Sequence, residues 1–164
     1  NPKQRSEIID YLIKTIEGKI GLDNVDVIAG TATAGIPHAT LVADRLNLPM
    51  IYIRNTNKEH GKGKQIEGKL NKDQKVVLIE DHISTGKSSL AAIDAIRYEK
   101  GIIDNCLAIF SYDLEGIYKK FREVNVNLYQ HSTIGVLLEV AEKENKITNL
   151  EKRTVLEWLD NLNR

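Results

Sequence analysis

The stretch Val76-Val77-Leu78-Ile79-Glu80-Asp81-His82-Ile83-Ser84-Thr85-Gly86-Lys87-Ser88-Ser89 reads as a strand, a turn and a helix in direct succession. Its four opening residues are continuously apolar, as expected of a central strand buried on both faces. Two acids end that run, a hydroxyl-rich turn follows, and Gly86 to Lys100 has the pattern of a helix. In an open α/β sheet, ligands bind beyond the carboxyl ends of the strands, where a helix N-terminus offers unpaired N–H groups and the positive end of its dipole. A phosphate suits that position. Glu80 and Asp81 repel an anion, so their natural partners are sugar hydroxyls, a cationic transition state or a metal. Phosphate and acids together point to a sugar phosphate. The bland alternative is a pair of solvated acids before an ordinary Ser/Thr helix cap. Gly86-Lys87-Ser88 imitates the end of a nucleoside-triphosphate P-loop, but that motif needs a glycine where this chain has Asp81.

Outward from this segment, helical and strand patterns alternate, which predicts an α/β fold with a mainly parallel sheet flanked by helices. Pro2 can open a helix carrying Ile8, Ile9, Leu12, Ile13 and Ile16 on one face, up to the break at Gly18 to Gly21. A strand is expected over 25–29, a small-residue turn over Gly30 to Gly35, a helix over 36–46 and a second strand over 49–54, together a βαβ unit. Further strands are expected over 106–112 and 126–129, with a helix near 114–122 between them. The tail from Thr133 reads as two helices joined near Thr148, with Trp158, Leu156, Leu159 and Leu162 as a docking face. Residues 1–164 are read as one domain, because neither a repeat nor a linker interrupts them.

Composition removes several classes of function. Of 164 residues 41% are apolar, enough for a core of ordinary size. Lys and Arg number 23, Asp and Glu 23, so no global field draws the chain to nucleic acid or an anionic membrane. Two Phe and no basic aromatic platform offer little to RNA. No apolar run approaches the ~20 residues of a membrane helix and no leader pattern opens the chain, which predicts a soluble, cytoplasmic protein. Cys106 is the sole cysteine, so neither an internal disulfide nor a cysteine zinc site can form, and it reads as a small core residue. The one basic concentration runs from Arg54 to Lys75, with seven Lys and Arg against Glu59, Glu67 and Asp73.

Three ordered segments carry a family resemblance. Ile79 to Ser89 resembles the phosphoribosyl-pyrophosphate (PRPP) motif of type I phosphoribosyltransferases. Ile28 to Ala39, and Arg54 through Lys58-Glu59-His60-Gly61-Lys62-Gly63 with Gln65-Ile66-Glu67-Gly68, resemble orotate phosphoribosyltransferases. The resemblance implies a type I phosphoribosyltransferase-like fold with a flexible catalytic loop, Mg²⁺ as cofactor carried mainly by PRPP and not by protein ligands, and PRPP and orotate as substrates. It implies orotidine 5′-monophosphate and pyrophosphate as products, in pyrimidine biosynthesis, and a homodimer whose loop reaches the neighbouring subunit's site. It assigns Lys58, His60 and Asp81 to catalysis. PRPP binding falls to Arg54, Lys58, His60, Glu80, Asp81, Ser84, Thr85, Gly86, Lys87 and Ser88, with Ser84 also at the orotate-contact position.

The residues fit that chemistry. Departure of pyrophosphate leaves positive charge at the anomeric carbon and negative charge on the leaving group, so cations are needed on one side and acids below the ribose. Gly61, Gly63 and Gly68 would let the loop close. The turn Gly30 to Gly35 is placed beside the pyrophosphate. His38 and His131 read as structural or surface residues, and His82 stays outside the catalytic set. Because the chain opens at Asn1 and Met50 is its only methionine, the family's N-terminal segment, which helps to form the orotate pocket, is expected to lie outside it. Two alternatives remain at this point, a phosphoribosyltransferase for another base and a PRPP-binding regulatory protein without turnover.

Overall fold

The computed structural model describes residues 1–54 and 65–162. Helix α1 (Pro2–Thr15) begins with Pro2 at its first position and with the Asn1 side chain accepting a hydrogen bond from the Lys3 N–H at 3.0 Å. Its buried face carries Ile9 and Leu12, and one π-helical turn, Ile16–Ile20, ends at Gly21. Strand β1 (Val27–Thr31) follows, buried along its whole length. It starts two residues later than the apolar pattern predicts and includes Gly30 and Thr31, which the sequence reading gives to the turn. The Val25 N–H closes a short turn on Leu22, and at the sheet's entry the Asp26 N–H donates to the Lys75 carbonyl while the Lys75 N–H donates to the Asp26 side chain, so pairing with the sheet proper begins at Val27.

The sheet has six strands in the order β3-β2-β1-β4-β5-β6, formed by β2 (Met50–Ile53), β3 (Ile66–Glu67), β4 (Lys75–Ile83), β5 (Ile102–Ser111) and β6 (Asn127–Thr133) around β1. Every pairing is parallel except the short β2–β3 ladder. The chain moves outward from β1 to β2, then returns to place β4 on the other side of β1. This reversal opens a crevice at the carboxyl ends of β1 and β4.

Side-chain alternation splits the apolar run of β4 between two cores. Val77 and Ile79 pack with Ile9, Leu12 and Ile16 of the N-terminal region and with Ala39, Val42 and Ala43 of α2 (Gly35–Leu46). Val76 and Leu78 face Ala92, Ile93 and Ile96 of α3 (Lys87–Tyr98) and Ile117 and Phe121 of α4 (Glu115–Glu123). The expectation of a mainly parallel sheet with helices on both faces is met. The strand does not stop at the acids, however. It continues through Glu80, Asp81 and His82, because β5 remains paired beside it from Glu80↔Ala108 to Ile83↔Ser111. Both β5 and β6 are likewise longer than the apolar runs predict, since paired polar residues such as Asn105 and Gln130 belong to the ladder.

Helix α2 lies unusually close to the sheet. A Cβ at Gly35 would stand 2.7 Å from the Ile79 carbonyl oxygen, and one at Gly30 would stand 2.8 Å from the Ala39 Cβ. The tail forms α5 (Ile134–Lys143) and α6 (Asn149–Leu162), joined as expected at Thr148, which shares a capping box with Glu151. Only Leu159 of the expected docking face is buried; Leu156, Trp158 and Leu162 are exposed. Gly35→Ala should lower stability by about 1–3 kcal/mol, because its clash is with backbone that cannot rotate away. A thermal melt should show a loss of about 3–10 °C, and an unchanged transition would refute the close approach.

Candidate active site

A cleft of about 570 Å³ opens at the carboxyl ends of β1 and β4. It brings together Arg54, Glu80, Asp81, Ser84, Thr85, Gly86, Lys87 and Ser88, all expected from the sequence. Lys58 and His60 lie outside the described residues. Thr31, Ala32, Thr33 and Ala34 form the opposite wall, with Ile53 and Gln65 beside Arg54. The sequence reading singles out the Gly30 to Gly35 turn, which contains Thr31, and quotes Gln65 in a family-like segment, but it gives neither residue a place in the site.

Two helices point their N-termini at this cleft. Ala34 precedes α2 and Gly86 precedes α3, and neither helix start has a side-chain cap. Asn1 and Thr133, by contrast, cap α1 and α5 with their side chains. An uncapped helix start with its dipole can receive an anion where it opens onto a cleft, as these two do and α4, uncapped as well, does not. Two of them flanking one cleft can receive a ligand that carries phosphate at both ends. Gly86 has φ +74°, a left-handed conformation open to glycine, and a Cβ there would reach within 2.2 Å of the Ile117 Cδ1 on α4.

The adjacent acids do different work because neighbouring strand residues face opposite sides. Glu80 points to the α3 side, is 2% exposed, and accepts a hydrogen bond from the Ser89 hydroxyl at 2.6 Å. Ser89 is a residue that sequence reasoning missed, since its hydroxyl is spent on the acid and not on the helix start. Asp81 lies on the α2 side, half-exposed, with His82 Nδ1 at 2.7 Å from its Oδ2. His82, excluded from the catalytic set by the sequence reading, therefore lines the cleft in contact with a proposed catalytic acid. The second histidine near Asp81 is His38 on α2, whose pKa is lowered by burial, in part offset by the Asp81 charge. His131 instead lies tilted against Tyr11, with ring centroids 3.9 Å apart, at the surface and away from the residues that line the cleft. Arg54 reaches the cleft wall while its guanidinium pairs with Glu67 on β3, and its backbone N–H donates to the Gln65 carbonyl at 3.0 Å. Among the described residues no group of three His, Cys, Asp or Glu is placed to hold a metal ion. No described helix is long and apolar enough to cross a membrane.

Burial pushes the Glu80 carboxyl up to about 7, against the hydroxyls of Ser89 and Thr31, while Asp81 adds to the rise. The folded chain therefore holds an extra proton between the ordinary value of 4.5 and about 7, and stability declines as pH rises through that window. Glu80→Gln keeps an oxygen for Ser89 and removes this titration. Thermal melts should show the variant gaining on the wild type from pH 5 to pH 8, by roughly 3 kcal/mol at full ionisation. Parallel curves would show that Glu80 does not titrate there.

Comparison with known proteins agrees with this geometry. Residues 1–111 match the family model described as a phosphoribosyl transferase domain. The curated orotate phosphoribosyltransferase of Staphylococcus haemolyticus is 45% identical over 161 residues, covering 98% of this chain and 79% of the relative. That of Coxiella burnetii is 48% identical over 158 residues, covering 96% and 74%. The crystal structure of orotate phosphoribosyltransferase from Aeropyrum pernix superposes with a TM-score of 0.75 at 29% identity, covering 85% of this chain and 76% of that one. With its fold, its cleft and these relatives in agreement, the chain belongs to the orotate phosphoribosyltransferase family.

Proposed function

We propose that this chain transfers the 5-phosphoribosyl group from PRPP to orotate, giving orotidine 5′-monophosphate and pyrophosphate, in cytoplasmic pyrimidine synthesis. The observation that carries the reading is the pair of uncapped helix starts on either side of an acid-bearing strand end. In this reading the start of α3, with Ser84, Thr85, Gly86, Lys87 and Ser88, holds the 5′-phosphate. The turn before α2 and Arg54 face the pyrophosphate. The bond from the anomeric carbon to the pyrophosphate oxygen breaks with its electron pair going to the leaving group, and a ring nitrogen of orotate forms the new bond to that carbon as its N–H proton passes to solvent. Asp81, facing the cleft, stabilises the positive charge that develops on the ribose, while His82 fixes its orientation. Glu80, buried and bonded to Ser89, acts from beneath the ribose with a proton that it gives up near neutrality.

Mg²⁺ fits this donor set in the mode typical of the ion, which keeps waters and takes one or two carboxylates beside substrate oxygens. In this reading PRPP carries the ion, Asp81 is the cleft carboxylate that would lie beside it, and the ion would offset charge on the leaving pyrophosphate. Lys58 and His60 would neutralise the same charge from a loop donated by the second subunit of a homodimer.

Loss of orotate absorbance on mixing the protein with Mg²⁺ and PRPP tests the reaction directly. Orotate should be consumed with equal release of pyrophosphate; binding of PRPP without turnover, or turnover only with another base, would replace this reading. A mixing experiment tests the shared loop. Lys58→Ala and Asp81→Asn homodimers should each be nearly inactive, and their random exchange should restore about a quarter of wild-type activity, since half the dimers then hold one intact site. No recovery after proven exchange would put the loop in its own subunit.

A further inference from the structure

Helix α4 contributes nothing to the lining of the cleft, yet it backs the loop that does. Ile117, 1% exposed, fills the space against Gly86, and one turn later the Lys120 ammonium donates to the Thr85 carbonyl oxygen at 3.0 Å. Thr85 and Gly86 both line the cleft, so the loop lies between α4 and any ligand there. From this geometry we infer that Lys120 is a positioning residue for the phosphate subsite, acting through the Thr85–Gly86 peptide.

That peptide joins the Thr85 carbonyl to the Gly86 N–H. Only the Ala32–Thr33 bond is cis among the described residues, so this one is trans, with its N–H pointing opposite to its C=O. A carbonyl aimed at α4 leaves the Gly86 N–H directed away from α4, on the side where the cleft lies. A cation at the oxygen polarises the amide, as hydrogen bonds in series strengthen one another, and makes the N–H a better donor to an anion. The ammonium also places a positive charge behind the loop without occupying the site. Lys120 itself is exposed, so the fold does not depend on burying it.

This inference rests on reading the cleft as a phosphoribosyl site, and direct ligand binding separates the two. Ribose 5-phosphate should be titrated by calorimetry into wild type, Lys120→Met and Lys120→Arg, with PRPP kinetics alongside. Lys120→Met should bind about fivefold to tenfold more weakly, less than the loss of a direct charge-assisted hydrogen bond would cost, because the lysine acts through the peptide and not on the ligand. Its KM for PRPP should rise in step, kcat should stay within about twofold, and Lys120→Arg should recover most of the loss. The melting temperature should not move. Unchanged affinity in Lys120→Met, an equal loss in both variants, or a loss accompanied by a lower melting temperature would overturn the proposal while the phosphoribosyl reading stands. Wild-type protein that binds no ribose 5-phosphate would remove that reading and this proposal with it.

Discussion

The close approach of α2 to β4 is the constraint on which the rest of the site depends. With hydrogen as its side chain, Gly35 lets the first turn of the helix rest on the Ile79 carbonyl, immediately before the two acids. Any larger residue would lift the helix start away from the strand end. The cleft would then widen on the side of Thr33 and Ala34 while the α3 side stayed in place. On the opposite face Gly86 meets the tip of the Ile117 side chain, a softer neighbour than a carbonyl, and there the left-handed φ of +74° adds its own demand for glycine. The two cores, one per face of the sheet, hold these contacts under the apolar stretch of β4.

Between the helix starts, the acids divide labour by the pleat of the strand. Glu80 is drawn into the α3 face and titrates near neutrality; Asp81 stands in the open cleft with His82 against it. A site with two positive dipole ends and one exposed carboxylate can hold an anion at each end and a cationic centre in the middle. This is the charge distribution of a phosphoribosyl transfer as pyrophosphate leaves.

Much of this was legible in the chain. The apolar run of Val76 to Ile79, the hydroxyl-rich turn and the helix after Gly86 follow from local periodicity, and local periodicity is what a sequence displays. The extension of β4 to Ile83 was not legible, because Glu80, Asp81 and His82 become strand only through pairing with Ala108, Phe110 and Ser111 of β5, more than twenty residues on. Opposite facings of the two acids follow from that extension, so they were hidden with it. Ser89 looked like one more hydroxyl at a helix start, and its bond to Glu80 needed the crossover of α3 onto the sheet. The motif residues Ser84 to Ser88 were legible as a turn and helix start that the fold places on the cleft, whereas Lys120, from a helix with no motif, was invisible until α4 was seen behind the loop.

The ion pair between Arg54 and Glu67 joins the two ends of the chain segment 55–64, together with the pairing of Ile53 and Ile66. Arg54 also faces the cleft. Only the Nη1 of Arg54 donates to Glu67, so the guanidinium keeps donors for an anion, but the Glu67 carboxylate and that anion repel each other across the shared cation. The anion therefore binds less tightly than it would to a lone Arg54, and by reciprocity an occupied cleft weakens the Arg54–Glu67 pair to the same degree. The pairing of residue 54 with residue 67 and the charge of the ligand are thus two readings of a single equilibrium.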